Sequence, residues 1–172
     1  MDWKGSRCMT LTKKLTVTAL FTAMVAALTI FVAIPIFIGY LNIGDALIML
    51  LATVLPAPMM FVIGGVGSGL ADFALGFPQY IIFTFFIKGS EGIFVSYLYH
   101  KLEGSMKRFV PFIAGGLWIT LAYGLTDVFL TQSWAYFIPS ASYNIIQGMG
   151  CAVIAIVLAP GFSKLMRKLL NK

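Results

Sequence analysis

The sequence predicts an all-α membrane protein, a compact bundle of six transmembrane helices with both termini in the cytoplasm. Three observations carry that expectation. The 172 residues are 60% hydrophobic and 10% charged, with a mean hydropathy of +0.95, whereas a soluble domain carries about 25% charged residues. Eleven of the twelve Lys and Arg residues fall in three short clusters: Lys4, Arg7, Lys13 and Lys14; Lys101, Lys107 and Arg108; Lys164, Arg167, Lys168 and Lys172. The stretches between them are long and apolar, and one span takes about 20 such residues. Short loops rich in Lys and Arg stay on the cytoplasmic side, so each interval crosses an even number of times. Residues 15–99 hold four spans and residues 109–163 hold two, in a single membrane domain over 1–172.

The elements follow in order. Span 1, residues 15–34, comes after four cations like a signal peptide, but it runs into Ile34-Pro35 without a small-residue cleavage site and reads as a retained helix. The uncharged loop 35–40, ending in Tyr40, lies outside. Span 2, residues 44–55, is short for a crossing and stops at Pro56-Ala57-Pro58, a helix-breaking pair of prolines. Span 3, residues 59–76, carries a glycine run that allows close helix approach. Span 4, residues 79–98, meets the middle basic cluster. Span 5, residues 109–130, returns outward to Thr131-Gln132-Ser133-Trp134, and span 6, residues 138–163, ends at the last cluster.

Composition narrows the function classes. A net charge of +6 suits nucleic acid in principle, but clustered cations beside apolar stretches read as topology signals and contacts for anionic lipid headgroups. Cys8 lies in the tail and Cys151 inside a span, so no disulfide or metal site is expected. The phosphate-binding pattern G-x-x-x-x-G-K-[ST] does not occur. Ser68-Gly69 resembles part of an intramembrane protease motif, but Val66 replaces its first glycine, and His100 falls at the opposite end of span 4. A serine nucleophile needs its base within hydrogen-bond reach, so an enzyme is not expected.

Five ionisable residues fall within or at the ends of spans: Asp45, Asp72, Lys88, Glu91 and Asp127. Each costs at least about 2.5 kcal/mol at mid-membrane unless paired or hydrated. Counted at about 1.5 Å per residue, Asp45 and Asp127 lie near the outer surface, Asp72 slightly deeper, and Lys88 and Glu91 deeper still. Asn144 and Gln147 enter from the same side. Lys88 and Glu91 share a helix face, as do Asn144 and Gln147, and Tyr123 and Asp127. Polar groups from five spans thus converge on one level, the pattern of a pocket open to the outside. A bland alternative also stands: Lys88 pairs with Glu91 or Asp72 only to hold the bundle, while Asp45 and Asp127 cap helix ends or sit among headgroups. Ala19, Ala23 and Ala27 form a flat small-residue stripe on span 1, suited to close contact with another helix.

Asn42-Ile43-Gly44-Asp45-Ala46, Gly67-Ser68-Gly69-Leu70-Ala71-Asp72 and Lys88-Gly89-Ser90-Glu91-Gly92 resemble, in order and spacing, the substrate-binding S components of energy-coupling factor (ECF) transporters. The likeness is nearest to the riboflavin-type and hydroxymethylpyrimidine/pyridoxine-type branch and covers essentially the whole chain. It implies a multi-pass protein of the bacterial cytoplasmic membrane that captures a water-soluble vitamin from outside. It implies as partners a T component and two ATPase subunits, with which the protein topples to release its ligand inside; no cofactor is expected. The Ala19, Ala23 and Ala27 stripe would dock on the T component. Ligand contacts in the family come from regions that here hold Tyr40, Lys88, Glu91, Tyr123, Asp127, Trp134, Asn144 and Gln147. Asn144 and Gly148 match a span-6 pattern of thiamin-type relatives, whose aromatic-rich site is otherwise only partly present. Four buried acids against one lysine serve an anionic ligand poorly, which favours pyridoxine or hydroxymethylpyrimidine, with riboflavin next. A proton-driven transporter using Glu91 and a scaffold without ligand are the competing classes.

Overall fold

A computed structural model describes residues 9–36 and 39–170. Lys4, Arg7, Cys8 and Lys172, and Phe37 and Ile38 of the first loop, lie outside the described residues. Six helices are present: α1 (Leu11–Phe31), α2 (Gly44–Ala52), α3 (Ala57–Leu75), α4 (Ile81–Lys101), α5 (Gly104–Thr131) and α6 (Phe137–Leu170). Between α1 and α2 stands a small antiparallel hairpin, β1 (Ile34–Pro35) and β2 (Tyr40–Leu41), with Ile34 opposite Leu41. An all-α reading does not foresee this pair. Pro35 is tolerated because a two-stranded ribbon is all edge, and Gly39, at φ +89°, supplies the left-handed residue of its turn.

Local signals account for the helix ends. The Thr10 hydroxyl accepts the Lys13 amide and caps α1. Pro56 and Pro58 flank the first residue of α3, where missing N–H groups cost nothing, and left-handed Gly76 closes it. Left-handed Gln132 closes α5 in the same way. Single-turn 3-10 segments, Pro78–Tyr80 and Trp134–Tyr136, lead into α4 and α6.

Five segments are long and apolar enough to cross a membrane: α1, α3, α4 with its leading turn, α5, and α6 with its leading turn. The expected second span is different. Helix α2 has nine residues, about 13 Å of helix, against a hydrocarbon layer of about 30 Å. The helix alone is shorter than that layer, and residues 53–56 continue the path toward α3. Helix α2 sits inside: every α2 residue except Leu47 is buried, and α2 packs against α1, α3, α4 and α6. The remaining helices adjoin in the order α1–α3–α4–α5–α6.

Glycine sets the closest approaches. A Cβ on Gly92 of α4 would lie 2.8 Å from the Met60 carbonyl of α3, and one on Gly116 of α5 would lie 2.7 Å from the Gly148 carbonyl of α6. The apolar core joins α2, through Met49 and Leu51, with Val25, Met60, Val95 and Phe112 of the helices around it. Large apolar side chains such as Leu70, Phe86, Phe129, Ile146 and Val157 point outward, a surface that suits lipid. The eight described cations other than Lys88 belong to the end where α1 and α5 begin and α4 and α6 finish. There the Lys13 ammonium reaches the Leu170 carbonyl at 2.6 Å. The opposite end carries the hairpin and the polar residues.

Candidate functional site

Helix periodicity builds the site. Tyr80, at the end of the turn leading into α4, and Thr84 and Lys88 on α4 recur every four residues and form one stripe; on α3, Ser68 and Asp72 do the same, as do Tyr123 and Asp127 on α5. All seven line a cavity at the hairpin end, together with Thr29, Ile36, Gly39, Tyr40, Asn42, Phe77, Asn144 and Gln147. It encloses about 510 Å³ of space outside atoms, its open mouth included. The hairpin forms one wall, and α2 lies behind it.

The cavity floor is a buried ion pair. Lys88, 2% exposed, bonds the carboxylate of Asp45, 1% exposed. The expected partners were Glu91 or Asp72. Asp45 wins because α2 is central and begins beneath the hairpin, which brings its first turn to α4; a carboxylate there is also favoured by the helix N-terminus. Asp45 is therefore neither a surface cap nor a headgroup residue. Its second oxygen accepts the Gln147 amide at 2.7 Å, and the Gln147 carbonyl accepts the Asn42 backbone N–H at 2.8 Å. Asn42 in turn accepts the Gly44 N–H at 2.9 Å. Hairpin, α2, α4 and α6 are thus joined by one polar network. The Lys88 ammonium also lies 5.2 Å from the centre of the Tyr123 ring, a cation–π contact.

Two tyrosine–carboxylate pairs stand higher. Tyr40 donates to Asp72 at 2.6 Å, and Tyr80 donates to Asp127 at 2.5 Å. Burial first, and then the Asp72 carboxylate, pushes the Tyr40 phenol above its ordinary value of 10.0. Tyr123 donates to the Thr84 hydroxyl at 3.1 Å. Trp118 anchors α5 to α4 beside Lys88, its indole N–H reaching Ser90 Oγ at 3.0 Å and the Ile87 carbonyl at 3.2 Å. The Asn144 amide turns back onto its own helix, donating to the Ser140 carbonyl at 3.0 Å.

Of the eight residues expected to meet ligand, Tyr40, Lys88, Tyr123, Asp127, Asn144 and Gln147 line this cavity. Glu91 and Trp134 are not brought to its wall. Glu91 lies one turn beyond Lys88 on α4, fully buried, with neither carboxylate oxygen hydrogen bonded among the described residues. Trp134 sits in the turn before α6, 72% exposed beside Phe137, where an indole suits the membrane–water interface. The expected set omitted Thr29, Asn42, Ser68, Asp72, Phe77, Tyr80 and Thr84. The four-residue stripes through Lys88 and Asp72 would have found Tyr80, Thr84 and Ser68, and Asn42 opens the motif that holds Asp45; no local pattern points to Thr29. Ala19 and Ala23 are exposed on α1 and Ala27 is half-buried.

Comparison with known proteins agrees with this architecture. A family model described as ECF-type riboflavin transporter, S component, matches residues 9–165. A protein from Pyrococcus woesei, described as an uncharacterized protein in gap 3' region, is 30% identical over 149 residues, covering 84% of this chain and 93% of its own length.

Proposed function

Because the chain belongs to the ECF-type riboflavin transporter S component family, a family of multi-pass vitamin-uptake subunits, we propose that it is the capture subunit of an ECF importer for a small heteroaromatic vitamin or precursor. Pyridoxine or hydroxymethylpyrimidine is the favoured ligand. The observation that carries this reading is the cavity at the hairpin end: aromatic walls of Tyr40, Phe77, Tyr80 and Tyr123 around a hydrogen-bonded polar floor. Aromatic walls stack a flat ring while a few fixed polar groups orient it. Riboflavin is the second reading, favoured by the description of the matching family model.

In this reading the basic end faces the cytoplasm, as a charge bias toward the inside requires, and the hairpin end faces out. Five helices then cross, and the chain returns between α1 and α3 through buried α2 and residues 53–56, so that α1 begins and α6 ends on the same side. Tyr40, Lys88, Tyr123, Asp127, Asn144 and Gln147 hold the ligand, with Lys88 acting mainly through the floor it shares with Asp45. The exposed Ala19 and Ala23 face, continued by Ala27, docks on a T component, and two ATPase subunits supply the energy. The test is mass spectrometry of whatever co-purifies, followed by thermal-shift titration of the cleared protein with a panel of B vitamins and their precursors. One compound is expected to stabilise the protein without ATP or a proton gradient. No shift with any member would refute the reading, and transport that needs a proton gradient and fails in Glu91→Gln would replace it with a proton-driven carrier.

A further inference from the structure

The hydrogen-bond ledger of the cavity is lopsided. Its lining holds Asp72 and Asp127, its floor holds Asp45, and its one cation, Lys88, is committed to Asp45. The formal charge there is two negatives in excess. Its phenols and one of its side-chain amides are already committed: the Tyr40 phenol on Asp72, the Tyr80 phenol on Asp127, the Tyr123 phenol on Thr84 and the Asn144 amide on Ser140. The hydroxyls of Thr29 and Ser68 remain as neutral donors, and what stands in excess is carboxylate accepting capacity. A carboxylate has about four lone-pair sites, and each phenol fills one. Asn144, with its NH₂ turned onto α6, keeps its carbonyl oxygen. Asp72 Oδ2 and Thr29 Oγ1, both on buried residues lining the cavity, have no hydrogen-bond partner among the described residues. The two residues stand on adjoining helices, α3 and α1.

We propose that this pocket selects for donor groups and against negative charge. Its ligand is a neutral or cationic ring bearing amino or hydroxyl groups, and the phosphate ester of the same compound is excluded. Asp127 and Asp72 are the specificity-determining residues. An amino group beside a ring nitrogen that carries a proton presents two parallel N–H donors, which a carboxylate receives in the bidentate manner of strong charge-assisted pairs. A phosphate ester instead places a second anion in a cavity with no uncommitted cation, and like charges brought together at a desolvated contact are strongly disfavoured. The Lys88 charge offers no relief, because a phosphate could claim it only by displacing Asp45 from a buried pair. This inference rests on the capture reading.

The experiment uses the full chain in nanodiscs of zwitterionic lipid, titrated by calorimetry with three matched pairs. These are 4-amino-5-hydroxymethyl-2-methylpyrimidine, pyridoxine and riboflavin, each against its monophosphate. In whichever pair binds, the unphosphorylated member is expected to be at least about 100-fold tighter, the scale set by a few kcal/mol of charge mismatch. Asp127→Asn and Asp72→Asn are each expected to shrink that ratio at least about tenfold, or about 1.4 kcal/mol. A phosphate that binds as tightly as its parent alcohol overturns this proposal and leaves the capture reading intact. So does a ratio that neither variant changes. If none of the six compounds binds protein whose thermal unfolding is cooperative, the capture reading falls and this one with it.

Discussion

Replacing Lys88 by Met leaves a buried carboxylate without its cation, and the structure sets the size of the penalty. Lys88 and Asp45 are 2% and 1% exposed, so water cannot compensate either charge. At an effective dielectric constant of about 20, two unit charges about 4 Å apart attract by about 4 kcal/mol. Removing one member of such a buried pair costs about 3–5 kcal/mol, because the desolvation of the survivor is no longer offset. Gln147 still donates to Asp45 at 2.7 Å, so the low end of that range applies, about 3 kcal/mol. Asp45→Asn is expected to cost the same or more, since it strands the cation. The double variant Lys88→Met/Asp45→Leu should recover at least about 2 kcal/mol, since apolar pairs often replace buried ion pairs at little cost. Reversible unfolding of the purified protein in mixed micelles, run as a double-mutant cycle, measures both quantities. Single-variant losses below about 0.5 kcal/mol, the size of a surface change, or additive losses in the double variant, would refute the pairing.

Three further outcomes are expected. Gly116→Val should yield no folded protein, because its Cβ would meet the Gly148 carbonyl at 2.7 Å, while Gly150→Val, with open space at its Cβ, should purify as wild type; equal yields by size-exclusion chromatography would contradict the packing. Ala23→Leu should impair uptake in cells while leaving ligand affinity in the purified protein within about twofold, since one exposed side chain away from the cavity rarely changes energetics by more than about 0.5 kcal/mol; unimpaired uptake would remove the docking face. The Tyr40 phenol has its pKa raised by burial and Asp72, so its contribution is complete below pH 10, the unfolded value, and is lost as pH rises beyond it. The stability difference between wild type and Tyr40→Phe should therefore be flat from pH 6 to 9 and shrink above pH 10, and a constant difference up to pH 11 would show that the phenol does not keep its proton for Asp72.

Part of the lining of the candidate cavity was legible in the sequence, for a local reason. Residues three or four apart share a helix face whatever the rest of the fold does, so Tyr123 with Asp127 and Asn144 with Gln147 are found on one cavity wall. The same rule misleads where a long side chain chooses between partners. Glu91 is the neighbour of Lys88 by sequence, yet the ion pair goes to Asp45, 43 residues away. Trp134 shows a related limit: its place in a polar loop between spans is plain, but the 3-10 turn that leaves its ring exposed is not.

What the sequence by itself determined is the membrane character, the distribution of basic and polar residues toward opposite ends, and the helices that carry each polar group. These follow from apolar length, from charge and from the 3.6-residue turn, all properties of a chain segment alone. What only the tertiary structure decided is the role of α2 and the partner of Lys88. A nine-residue apolar helix reads as a short span when counted along the chain. Surrounded by α1, α3, α4 and α6 it becomes a buried strut whose first turn places Asp45 under the cavity. That placement depends on how four helices pack around it, and no local spacing rule reaches that far.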